Sequence, residues 1–259
     1  MHESVAKALS LTHTVFRPGV PHFRERRLIP IRTAAHLIVF DVDKVSALYT
    51  MMHVTPGNRE VNVGRKDNFV SGDMTLPDDL CTSEADYAAW NKEHPDKPVD
   101  KGHGLGSQMQ RSDDLLQSDI DTLAGCQPES DVVNRLVKSK LENAIKARTL
   151  EQTQSWLVQG PGWYGSVPVL GKLNSGQWVP DFMWISALFQ KGKTVESYAW
   201  VMENVWDMAE VDLRTVSLDE LDAITGLYLW GNVGADKFQA KRSKASGGDW
   251  WREGQPSAK

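Results

Sequence analysis

Cysteine is scarce: only Cys81 and Cys126 occur in 259 residues. Two thiols cannot build a disulfide framework, and neither has a histidine at ligand spacing, which argues against a zinc site. The pair could close one disulfide outside the cell or stay reduced inside it. A basic excess is also missing, since 29 Lys and Arg stand against 34 Asp and Glu, for a net charge of -5 and a pI near 5.8. That excludes a nucleic-acid coat protein but not an enzyme of nucleic acid, which needs only a local basic cleft and must release a polyanionic product. No apolar run approaches the ~20 residues of a membrane helix. Met1-His2-Glu3-Ser4 lacks the basic start and apolar stretch of a signal peptide, so the expected compartment is the cytoplasm, or the exterior by a route without an N-terminal signal. No Gly-x-Ser-x-Gly elbow is present, which disfavours a serine hydrolase. Internal repeats and domain linkers are absent too.

What the chain does have is 41% apolar residues and ten tryptophans, enough for a sizeable core. Leu37 to Asp43 and Ala47 to Val54 read as strands joined at Asp43-Lys44, followed by a polar stretch over 55–102 with a short helix around Glu84–Glu93. Gly104 to Ser107 reads as a flexible segment, and a polar helical stretch is expected near Asp113–Ile120. Over 130–152, Val133, Val137, Leu141, Ala144 and Ile145 recur at three- and four-residue steps, the apolar face of a helix. Strands are expected at Trp156–Gln159, Phe182–Phe189 and Ser197–Met202. Ser217 to Glu220 opens a further helix that ends at Gly226. The division expected is an arm over 1–35, one mixed α+β domain over 36–235, and a flexible tail over 236–259 holding Trp250-Trp251.

The chemistry gathers around Asp100-Lys101-Gly102-His103, with Asn134 31 residues after the histidine and Glu142 eight further on. The glycines around His103 would let the backbone bend and leave the imidazole approachable, with Asp100 orienting one ring nitrogen and the other free as a general base. Asn134 and Glu142 are eight helical positions apart, about 800°, and so share one broad side of the helix. An amide carbonyl and a carboxylate suit a hard cation such as Mg²⁺, which keeps most of its waters. The plainer reading of this side is a solvated face with Lys138–Glu142 and Glu142–Lys146 pairs. Arg65, Lys66, Lys101, Lys138, Lys146 and Arg148 are the cations available to touch phosphates.

These residues, in this order, resemble the DNA/RNA non-specific endonucleases, the ββα-metal nucleases. That family carries Asp-Arg-Gly-His, here Asp100-Lys101-Gly102-His103. Its Pro, metal-binding Asn and Leu-Glu pair resemble Pro128, Asn134 and Leu141-Glu142; its Arg-x-Asp-x-Phe resembles Arg65 to Phe69. Its Thr-Gly-Pro is similar to Gln159-Gly160-Pro161, and its aromatic Val-Pro strand to Val179 to Trp184. A late helix ending Thr-Gly-Leu is similar to Ser217 to Leu227. The chain departs from the pattern at Lys101 and Lys146, where arginines are usual, at Gly125, where an asparagine is usual, at Glu129 for glutamine, and at Lys138 for an aromatic.

The resemblance implies an α+β fold, a central antiparallel sheet flanked by helices, with a ββα-metal (His-Me finger) site. It implies a metal-dependent endonuclease of DNA and RNA. His103 is then the general base and Asn134 and Glu142 the metal residues for Mg²⁺, or Mn²⁺, with Arg65 catalytic. Lys101, Lys146 and Arg148 bind substrate and Asp100 orients the histidine. The expected partner is nucleic acid of weak sequence preference, with no membrane; a homodimer, or an inhibitor or immunity protein, stays open. Two other readings remain: a nucleic-acid-binding member of the fold whose catalysis has weakened, and a nuclease toxin or effector held in check by an immunity protein.

Overall fold

A computed structural model describes residues 27–32, 36–54, 76–104, 122–230 and 250. The expectations for Arg65 to Phe69, for residues 105–107 and for 113–120 lie outside those residues. Nine strands and three helices carry the fold among them. The strands are β1 (Leu28–Arg32), β2 (Leu37–Asp41), β3 (Ser46–Val54), β4 (Val99–His103), β5 (Cys126–Ser130), β6 (Gln154–Gly162), β7 (Phe182–Lys191), β8 (Thr194–Glu203) and β9 (Leu213–Val216). The helices are α1 (Glu84–Glu93), α2 (Ser139–Leu150), preceded by a π-helical turn at Val133–Lys138, and α3 (Leu218–Thr225).

Seven strands form one antiparallel sheet in the order β1-β2-β3-β6-β7-β8-β9. Every position of β2 and β3 is buried. They therefore read in sequence as nearly continuous apolar runs, because both faces of the sheet are covered. Val39, Met51, Trp156 and Trp184 face a core completed by Leu218 and Leu221 of α3. Met52, Leu157, Met183, Ile185 and Trp200 face the other side, against Val133, Leu141 and Ile145. Burial of each of these large side chains contributes about 1.5–3 kcal/mol. The β2–β3 turn forms without glycine because the Asp41 carboxylate accepts the Asp43 N–H at 3.0 Å.

Two segments differ from expectation. Residues 28–32, placed in the arm, are an edge strand in register with β2, Leu28 opposite Asp41. Trp250, placed in the flexible tail, packs edge-on to Phe189, Tyr198 and Trp200.

β4 and β5 form a separate two-stranded sheet, His103 opposite Cys126. Buried side-chain amides fasten it to its surroundings. Gln127 accepts from Ser46 Oγ at 2.5 Å, Gln177 Nε2 donates to the Cys126 carbonyl at 2.8 Å, and Asn204 Oδ1 accepts the Ser130 N–H at 2.8 Å. Tyr87 and Trp90 of α1 pack beneath it with Val99 and Leu123. Cys126 is buried and Cys81 half-buried.

Candidate active site

His103 is the last residue of β4, not part of a turn. Neither glycine beside it has a positive φ. Their purpose is close approach: a Cβ on Gly102 would lie 2.1 Å from Glu129 Cδ, and one on Gly104 would lie 2.5 Å from the Gly125 carbonyl oxygen. Glycine thus lets the strand press against its neighbours. The backbone carbonyl of His103 accepts two hydrogen bonds, from Lys138 Nζ at 2.6 Å and from Gln159 Nε2 at 2.9 Å. The small sheet is thereby joined to the helix and to the large sheet at one atom.

Asp100 does not serve the histidine as the sequence suggested. Positions 100 and 103 are three apart on a strand and point to opposite faces. The Asp100 carboxylate receives Arg135 through both oxygens, at 2.7 and 2.6 Å, and the Asn134 side-chain amide at 3.1 Å. A carboxylate only accepts, so the Asn134 NH₂ faces Asp100 and its carbonyl oxygen is turned elsewhere. Asp100 orients Asn134, and Arg135 is the site residue that sequence reasoning missed, although it is Asn134's immediate neighbour.

Asn134 lies in the π turn, where its backbone carbonyl accepts the Ser139 N–H. A π turn holds one residue more than an α turn, so the chain rotates less per residue and Asn134 and Glu142 lie closer to one line than α geometry allows. Such turns are frequent at functional sites. Lys138 stands midway on that line. It is not a phosphate contact: its side chain is 2% exposed and pairs with fully buried Glu129, Nζ to Oε1 2.5 Å. Burial pushes the Glu129 carboxyl above its ordinary value against the pull of Lys138. Burial also opposes the Lys138 charge, yet Glu129 and Glu142 outweigh it and hold the ammonium above its usual value.

The other cations divide. Lys101, half-buried, pairs with exposed Glu84 at 2.5 Å. Lys146 is half-buried one turn beyond Glu142. Arg148 is committed: it donates to Glu196 at 2.7 Å and Tyr198 at 3.1 Å, and its guanidinium lies 4.7 Å from the Trp250 ring centroid. It packs on Trp250 rather than offering itself to phosphates. Arg65 lies outside the described residues.

Among the described residues no three His, Cys, Asp or Glu side chains gather as a metal cluster. The donors available are Asn134 Oδ1, pre-oriented by Asp100, and Glu142, whose Oε1 is buried from solvent. Few and hard, these oxygens fit a cation that keeps most of its water.

Residues 14–236 match the model of the DNA/RNA non-specific endonuclease family. The chain belongs to that family. This endonuclease is thus a hydrolase of nucleic acid, from a metal-dependent family. A chain in the solved structure of the EndoG/EndoGI complex, described as revealing the mechanism of EndoG inhibition, is similar to it with a TM-score of 0.67 at 15% identity, over 83% of this chain and 88% of that one. The likeness bears out the α+β endonuclease fold, with its large antiparallel sheet and few helices. No curated protein matches. No described helix is long and apolar enough to cross a membrane. In the endonuclease, the family departures Glu129 and Lys138 are the two halves of one buried ion pair.

Proposed function

We propose that the endonuclease hydrolyses phosphodiester bonds of both DNA and RNA with His103 as general base. The neutral imidazole takes a proton from water, which attacks phosphorus in line, and the products carry 5′-phosphates. Asn134 Oδ1 would hold a divalent cation directly and Glu142 through water. Mg²⁺, with Mn²⁺ as substitute, would supply charge neutralisation on the phosphate and the departing 3′ oxygen. Arg65, Lys101 and Lys146 steady the flanking phosphates; contacts of that kind carry no base information, hence weak sequence preference.

The observation that carries this reading is the Asn134 amide, fixed by Asp100 so that its carbonyl oxygen is offered, on the helix that also bonds the carbonyl of His103. Incubation of the protein with supercoiled plasmid and with RNA, in Mg²⁺ or EDTA, tests it. Cleavage of both substrates in Mg²⁺ alone, lowered about 10²–10⁴-fold by His103→Ala, is expected. Salt-sensitive binding without cleavage would favour the catalytically weakened reading.

A second layer concerns control. The similar structure is of EndoG with EndoGI, which favours a protein inhibitor for this chain as well. Copurification with a small acidic protein that blocks cleavage is the result to look for.

A further inference from the structure

A cation sealed beneath the strand that carries His103 calls for an account. Lys138 and Glu129 are buried together, and removing such charges from water costs several kcal/mol per ion. Glu129 Oε2 is buried without a hydrogen-bond partner among the described residues. A half-satisfied buried pair is a poor stabiliser, and an apolar pair of similar volume often does as well or better.

The geometry supplies a different role. Lys138 Nζ binds Glu129 of β5 and the His103 carbonyl of β4 at once. The Glu129 carboxyl fills the space beside Gly102 where a Cβ would stand. On its own helix Lys138 lies four positions after Asn134 and four before Glu142. One ammonium therefore ties together the strand end bearing the imidazole, the paired strand, and the helix bearing both oxygen donors.

We propose that Lys138 is a positioning residue. It acts through the His103 carbonyl to hold the imidazole in register with Asn134 and Glu142, with Glu129 as its countercharge. The proposal rests on the reading of His103 as general base. A misplacement of 1 Å is enough to slow an enzyme on the order of 10²-fold.

Glu129→Gln, Lys138→Met and the double variant test it by melting temperature, by kcat and KM on plasmid with Mg²⁺, and by the imidazole spectrum of histidine-labelled protein. Glu129→Gln keeps an acceptor for Lys138 and the donor to His103. It should melt lower yet retain kcat to within about threefold, far less than the ~10² of a misplaced base. The double variant removes both buried charges and the donor. It should melt above Lys138→Met, which leaves Glu129 buried without its countercharge, while kcat falls about 10²-fold at constant KM. Its His103 signal alone among the histidines should shift and broaden. A folded double variant with kcat within about twofold of the parent and an unmoved His103 signal overturns the proposal. If the parent does not cleave, the general-base reading fails by itself. The His103 signal then decides: a shift in the double variant but not in Glu129→Gln upholds the positioning role, and no shift overturns it. Should the double variant not fold, Gln159→Leu, which removes the other donor to the same carbonyl and leaves the charges in place, is judged by the same kcat and spectral criteria.

Discussion

Asn134 gives its side-chain N–H to Asp100, 34 residues earlier, at 3.1 Å. The motif aspartate thus fixes the orientation of the Asn134 amide. Asp100→Ala should free Asn134 to rotate and leave Arg135 without its bidentate partner. The Mg²⁺ concentration for half-maximal cleavage should rise about 10–100-fold, the usual effect of losing a partner behind a metal ligand. A metal titration of the cleavage rate reads this directly, and an unchanged midpoint would refute the orienting role.

Gly102→Ala places a methyl 2.1 Å from Glu129 Cδ, a carbon already held by Lys138. Neither partner can yield without breaking the buried pair. Overpacking of this kind costs about 1–3 kcal/mol. Chemical denaturation should show that loss, and a variant as stable as the parent would mean that the hairpin is looser than described.

Arg148 and Lys146 lie on the same helix yet should behave in opposite ways. Arg148→Ala removes packing on Trp250 and Tyr198 and should cost about 1–2 kcal/mol of stability. The salt dependence of DNA binding should stay as it was. Lys146→Ala should cost no more than about 0.5 kcal/mol of stability and reduce the slope of log affinity against log salt by about one. Binding isotherms at several salt concentrations separate the two.

Stability should fall on the alkaline side. Burial holds the Tyr87 hydroxyl well above its ordinary value, reinforced by Cys126 and Glu129, while a hydrogen bond to Gln177 works the other way. The Lys138 ammonium is also held above its usual value. In both cases the folded chain keeps a proton that the unfolded chain has lost. The stabilisation is complete below the unfolded pKa of ~10 and is lost as pH rises from there through the folded value. Melting temperatures from pH 8 to pH 11 should decline steeply above about 10, and Tyr87→Phe should flatten part of the decline.

The elements built from local pattern were legible: Glu84–Glu93 is α1 as read, and the apolar steps of Val133, Leu141 and Ile145 do face the sheet. β4 was not. Asp100-Lys101-Gly102-His103 has no strand propensity, and its partner across the sheet contains Pro128 and begins 23 residues after His103. Its partner strand β5 is held by tertiary amides such as Gln177 and Asn204, which no window of sequence contains. Lys138 looked like a surface cation because its partner, Glu129, lies across the hairpin rather than along the helix. The π turn is likewise invisible in a pattern that fits an α-helix.

Two of the amides that hold the β4–β5 hairpin, those of Gln177 and Asn204, belong to residues made later in the chain. Asn204, which fixes Ser130, follows it by 74 residues, a delay of roughly 4–15 s at ordinary rates of synthesis. During that interval the nascent chain carries every residue of the motif but lacks the frame that aligns them. The motif is therefore expected to align only once Asn204 has been synthesised.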